Sequence, residues 1–123
     1  MQPKQILVID DENDIREVAR LSLEVTEDWS VTSANGGAAG MAIAVAMNPD
    51  AILLDVMMPE MDGPSTLRFL QQQGLTIPVI FLTAKVQRAD RQRFLELGVR
   101  GIISKPFDPL TLGQQIKELL SWS

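Results

Sequence analysis

The sequence predicts an α/β domain: a doubly wound, five-stranded parallel sheet in the order 2-1-3-4-5, with five helices. Three observations lead there. Short apolar runs alternate with longer amphipathic stretches, so a strand–helix unit repeats five times along the chain. Right-handed crossovers between parallel strands then favour a doubly wound order. Finally, four of the apolar runs stop at residues of marked chemistry: Asp10-Asp11, Asp55, Thr83 and Lys105-Pro106. In an open parallel sheet the carboxyl ends of the strands share one edge, where ligands bind.

The elements follow in order. Gln5–Ile9 reads as a buried strand ended by acids. From Glu12 to about Val25 the apolar positions Ile15, Val18, Ala19 and 22–25 recur at helical spacing, with Asp11 or Asp14 as the expected N-cap. Trp29–Ala34 alternates as a half-exposed edge strand does. Asn35-Gly36-Gly37 turns into Ala38–Met47, a helix of small residues closed by Asn48-Pro49. Ala51–Leu54 is a core strand, and Pro64 opens a helix over Ser65–Gln73. Ile77–Leu82 is a third core strand, with Pro78 tolerable near its start. Arg88–Leu97 is a helix capped by Gly98, Gly101–Ser104 a short strand, and Pro109–Leu120 the last helix.

At 123 residues the chain is long enough for one self-sufficient core, so a single domain over residues 1–123 is expected. It has no cysteine and no histidine, which excludes disulfides, thiolate or imidazole metal sites, a Ser-His-Asp triad and a phosphohistidine on this chain. The first apolar run ends in acids without a small-residue cleavage site, and no stretch is long enough to span a bilayer. A cytoplasmic location with no membrane contact is therefore expected. The net charge of −5 argues against direct nucleic-acid binding.

Three carboxylates brought to one pocket repel each other unless a cation lies among them. A hard divalent ion with oxygen ligands suits Asp10, Asp11 and Asp55, and Mg²⁺ suits a site with few direct carboxylates, waters and a phosphate. Taken singly, each residue has a plainer explanation. Asp10-Asp11 could be a helix-capping pair, Asp55 a loop acid, Thr83 a strand-end hydroxyl and Lys105 a solvated turn lysine. Their joint placement at strand ends outweighs those explanations. Lys105, held extended before Pro106, is expected to follow a cis bond into the pocket.

Ile6–Glu12, then Leu53–Gly63, then Leu82-Thr83-Ala84, and finally Ser104-Lys105-Pro106-Phe107 together resemble the CheY-like receiver domain of two-component response regulators. The resemblance spans essentially the whole chain, in order. It implies that Asp55 is the phosphoacceptor, attacking a phosphohistidine on a sensor histidine kinase or phosphotransfer protein. It further implies that Asp11, Asp10, Asp55 and the Met57 backbone carbonyl hold Mg²⁺, with Mn²⁺ as a substitute. Lys105 and Thr83 would contact the phosphoryl group, with the Met57 and Ala84 N–H groups as further donors. Thr83 and the fourth helix would carry the switch, and the face from the fourth helix to the fifth would meet a downstream protein or a second copy.

Two positions depart from that pattern. Receivers commonly carry an aromatic three residues before the lysine, where this chain has Ile102, and an acid just before it, where this chain has Gly101. An aliphatic filler for the space that Thr83 vacates is then expected. Elsewhere, Asn35–Gly40 lacks the lysine of a P-loop and reads as a turn with tight helix packing. Arg88, Arg91, Arg93 and Arg100 form a basic cluster near the output face, and Trp29 and Trp122 are expected to be partly exposed. An aspartyl-phosphate hydrolase of the haloacid-dehalogenase type needs a second acid at position 57, which is Met, and a cap domain for which the chain is too short. A pseudo-receiver acting only by protein contact is disfavoured by the intact Asp, Thr and Lys set. With no effector after Ser123, the expectation is either a stand-alone receiver or a fragment of a longer regulator.

Overall fold

The computed structural model describes residues 3–84 and 87–123. The elements run β1 (Gln5–Ile9), α1 (Asn13–Glu27), β2 (Ser30–Ala34), α2 (Gly37–Met47), β3 (Ala51–Asp55), α3 (Gly63–Gln72), β4 (Val79–Thr83), α4 (Arg88–Glu96), β5 (Gly101–Ser104) and α5 (Leu112–Leu120). All pairings are parallel and the sheet order is β2-β1-β3-β4-β5, as the sequence predicts.

The two-residue period of the strands divides the core. Ile6 and Val8 of β1, with Leu53, Ile80, Leu82 and Ile103, face Ala19 and Leu23 of α1 and Leu112, Ile116 and Leu120 of α5. Leu7 and Ile9, with Ile52, Leu54, Phe81 and Ile102, face Ala44 of α2, Leu67 and Leu70 of α3, and Phe94 of α4. Central strands covered on both faces need continuous apolar runs, which is why β1 and β3 show no polar alternation. Phe81 and Phe94 meet edge to face at 5.2 Å, an arrangement worth about 1 kcal/mol beyond the area buried.

The boundaries differ from expectation where backbone hydrogen bonding decides. β4 starts at Val79 because Pro78 has no N–H to give the ladder; its carbonyl still accepts from Ile52 at 3.0 Å. β3 and β4 each run one residue further than predicted, so Asp55 and Thr83 are last strand residues and not first loop residues. Helix α5 starts at Leu112, not Pro109, because Asp108 first closes a turn by accepting the N–H groups of Leu110, Thr111 and Leu112. Neither Asp11 nor Asp14 caps α1. Glu12 occupies that position, and its own N–H is taken by Asp10 Oδ1 at 2.9 Å. Trp29 is buried, against expectation, in a T-shaped contact with half-buried Trp122 at 5.4 Å, under which Lys4 sets its ammonium 4.5 Å from the ring.

Close approach explains two glycine positions. In Asn35–Gly40 a Cβ on Gly37 would strike Thr66 and Met61, so this stretch is indeed packing and not a phosphate loop. Gly63 matters more. A Cβ there would lie 2.6 Å from the Asp55 carbonyl oxygen and 2.9 Å from Val56 Cα. Only glycine lets the loop fold back and donate its N–H to Val56 at 2.9 Å, while Asp62 caps α3 through Ser65 N–H at 2.8 Å. Since both obstructing atoms are backbone, Gly63→Ala is expected to cost about 1–3 kcal/mol in urea denaturation. An alanine variant as stable as the parent would show that the loop is free to move.

Candidate functional site

The predicted residues converge at the carboxyl edge of the sheet. Ile9 pairs with Leu54, so the next residues along, Asp10 and Asp55, come side by side. Ladder bonds continue past the strand ends: Asp10 N–H to Ala34 at 3.1 Å, Val56 N–H to Leu82 at 3.1 Å and Lys105 N–H to Thr83 at 3.0 Å. Asp10, Asp55 and Lys105 are therefore held by sheet hydrogen bonds, while Asp11 sits in the β1–α1 connection. The Lys105-Pro106 bond is cis, as expected.

Lys105 places its ammonium 2.7 Å from Asp10 Oδ2 and 3.1 Å from Asp55 Oδ1, with Glu12 Oε1 at 3.9 Å. Asp10, Asp55 and Thr83 are buried, whereas Asp11 is exposed at the mouth. Met57 N–H approaches Asp55 Oδ1 at 3.4 Å, while the Met57 side chain stands 63% exposed where a hydrolase would carry a second acid. Asp10 Oδ2 receives no well-directed hydrogen bond among the described residues and meets only ion-pair contact with the ammonium.

Burial pushes the Asp55 carboxyl up to about 6; the neighbouring Asp10 charge adds to the rise, and Lys105 partly offsets it. For Lys105, burial pulls downward, but Asp10 and Asp55 outweigh it, and the ammonium is held above its usual range. One oxygen from each of Asp10, Asp11 and Asp55 lies within 4.8 Å of the others. An all-oxygen donor set of that span, with a buried carboxylate oxygen lacking a directed donor, fits a hard divalent cation.

Three contributors escaped the sequence reading. Glu12 reaches Lys105, Gly63 clears space beside Asp55, and Arg16 bonds the Asp10 carbonyl at 2.7 Å. Gly63 was legible as a loop glycine but not as a contact; nothing in helical periodicity marks Arg16 as facing back to the loop. Gly101 also gains an explanation: a Cβ there would lie 2.5 Å from Leu119, whose side chain fills the space.

A β2-β1-β3-β4-β5 sheet carrying three acids, a threonine and a lysine on its carboxyl edge defines the CheY-like, flavodoxin-type class. The chain belongs to the response regulator receiver domain family, whose model matches residues 6–117, and it is a receiver domain of two-component signalling. It is 38% identical over 117 residues to the alkaline phosphatase synthesis transcriptional regulatory protein PhoP of Bacillus subtilis, covering 95% of this chain and 48% of that protein. It is 40% identical over 116 residues to the transcriptional regulatory protein ResD of the same organism, covering 94% and 48%. Among solved structures, chemotaxis response regulator CheY4 of Vibrio cholerae superposes with a TM-score of 0.89 at 27% identity, covering 96% of this chain and 99% of that one. The chain thus spans about half the length of the curated relatives it matches.

The raised Asp55 value sets a pH dependence. Its folded value lies above the ordinary 3.8, so the fold favours the protonated carboxyl, and this group's contribution to stability falls as pH rises from about 4 through 6. Asparagine does not titrate. In chelator-containing buffer the stability of Asp55→Asn relative to the parent is expected to grow over that window, by on the order of a few kcal/mol, and level off above it. Urea denaturation at several pH values checks this; a difference that shrinks with rising pH would contradict it.

Proposed function

We propose that the domain accepts a phosphoryl group on Asp55 from a phosphohistidine of a sensor histidine kinase or phosphotransfer protein. The observation that carries this reading is a buried strand-end carboxylate flanked by Lys105, Asp10 and Asp11 at the sheet edge. An Asp55 carboxylate oxygen attacks phosphorus; the O–P bond forms as the P–N bond breaks, and the imidazole leaves with the electron pair. Small phosphodonors enter by the same route, which makes the domain a catalyst of its own phosphorylation rather than a turnover enzyme.

Asp10, Asp11, Asp55 and the Met57 carbonyl would hold Mg²⁺, or Mn²⁺ in its place. The ion supplies charge neutralisation for the transferring phosphoryl group. Lys105, already aimed at Asp55 Oδ1, pairs with a phosphoryl oxygen, and the Thr83 hydroxyl and the Met57 and Ala84 N–H groups donate to others. Thr83 ends β4, so its displacement pulls on the connection to α4, part of which lies outside the described residues.

Output then passes through the face from α4 to α5, to a downstream protein or a second copy. Arg88, Arg91 and Arg93 stand exposed there, Arg93 paired with Asp90 at 2.7 Å. Action in the cytoplasm is part of the same two-component reading; among the described residues no helix is long and apolar enough to cross a membrane. The residues support one domain over 1–123, with the sheet edge as its centre.

Incubation with Mg²⁺ and acetyl phosphate or phosphoramidate is expected to label the parent and leave Asp55→Asn unlabelled. Labelling that survives the substitution would move the acceptor elsewhere. For the switch, Ile102 is buried with Phe81, Phe94 and Val99 and takes the role of the missing aromatic by shifting toward the space beside Thr83. Ile102→Val is then expected to weaken beryllofluoride-dependent self-association or partner binding several-fold while labelling of Asp55 persists. An unchanged binding response would remove Ile102 from the relay.

A further inference from the structure

The connection from β1 to α1 carries two of the three clustered acids, and one side chain closes it. Arg16, in the first turn of α1, turns back over the loop. Its Nη1 donates to the Asp10 backbone carbonyl at 2.7 Å and its Nη2 to Asn13 Oδ1 at 3.1 Å. Beside the Asp10 N–H to Ala34 bond and the Lys105 ion pairs with Asp10 and Glu12, the loop is fastened by Glu12 N–H to Asp10 Oδ1 at 2.9 Å and by Arg16 N–H to the Glu12 carbonyl at 3.2 Å. The two arms of one planar guanidinium therefore span the segment from Asp10 to Asn13, with Asp11 between them. A planar fork suits this geometry, whereas a lysine ammonium cannot reproduce two fixed directions.

We propose that Arg16 is a positioning residue for the cation site: it fixes the Asp10–Asn13 loop, and so the spacing of the Asp10 and Asp11 carboxylates from Asp55. The inference rests on the reading that these acids bind Mg²⁺. Charge and positioning pull in opposite directions here, which makes the role separable. A guanidinium beside an acid cluster competes electrostatically with a cation, so removing its charge alone strengthens cation binding. Removing its grip on the loop weakens binding, since residues that orient metal ligands typically contribute 10–100-fold in affinity.

Calorimetric titration of the phosphodonor-free protein with Mg²⁺ tests this, alongside thermal melts. Arg16→Gln and Arg16→Lys are both expected to raise the Mg²⁺ dissociation constant about tenfold, and Asn13→Ala by a smaller factor. Asn13→Ala deletes only one arm's acceptor and keeps the test open should the arginine variants fold poorly. Tighter binding by Arg16→Gln would show a charge effect alone and overturn the proposal. So would Mg²⁺ affinities unchanged from the parent accompanied by lower melting temperatures, the signature of a merely structural role. A parent protein that binds no Mg²⁺ would instead refute the reading of the acid cluster itself.

Discussion

The contact on which the molecule turns is the Lys105 ammonium wedged between the Asp10 and Asp55 carboxylates. Two buried acids share one half-buried cation, and the arithmetic is unfavourable. Taking carboxylates out of water costs several kcal/mol each, and a single ammonium cannot offset both. Asp55 shows the shortfall, with its carboxyl lifted toward neutrality. A pocket with this imbalance favours ligands that bring positive charge to the acids and oxygen acceptors to the lysine. A divalent cation together with a phosphoryl group does both.

Holding like charges together requires a rigid frame, and the sheet supplies it. Asp10 follows β1, Asp55 and Thr83 end β3 and β4, and Lys105 follows β5, each tied to the neighbouring strand by a ladder hydrogen bond at or just past the strand end. A one-residue slip would turn every side chain to the opposite face, so residues packed on α1 and α5 would have to fit among those packed on α2, α3 and α4. The register that aligns Ile9 with Leu54 is therefore enforced by the core, and with it the adjacency of Asp10 and Asp55. Local devices finish the work: Gly63 lets a loop close against the Asp55 carbonyl, and Arg16 closes the loop bearing Asp11.

Much of this was legible in the sequence because it depends on periodicity and on where apolar runs stop. The sheet order, the β5 bounds and the five pocket residues all follow from such signals. What escaped depends on long-range contact. Trp29 reads as partly exposed on an edge strand, yet it is buried, with Trp122, far along the chain, packed on it edge to face. Asp11 and Asp14 are good capping residues by type, but the Glu12 N–H is satisfied by Asp10, whose carboxylate is turned inward by the pocket. Arg16 looks like one more polar position on an amphipathic helix; only the backbone path of the loop gives it a target.

The same logic accounts for the two positions that depart from the family's usual pattern. Gly101 and Ile102 are neighbours on β5 and so point to opposite faces of the sheet. On the α1–α5 face, Gly101 leaves room for Leu119, and a side chain there would displace it. On the other face, Ile102 joins Phe81, Phe94 and Val99 beneath α4. Both departures are thus packing solutions inside the body of the sheet, away from its carboxyl edge. Lys105 lies beyond them and is positioned by its own bond to Thr83, so the packing of the last strand can change without moving the ammonium off Asp55.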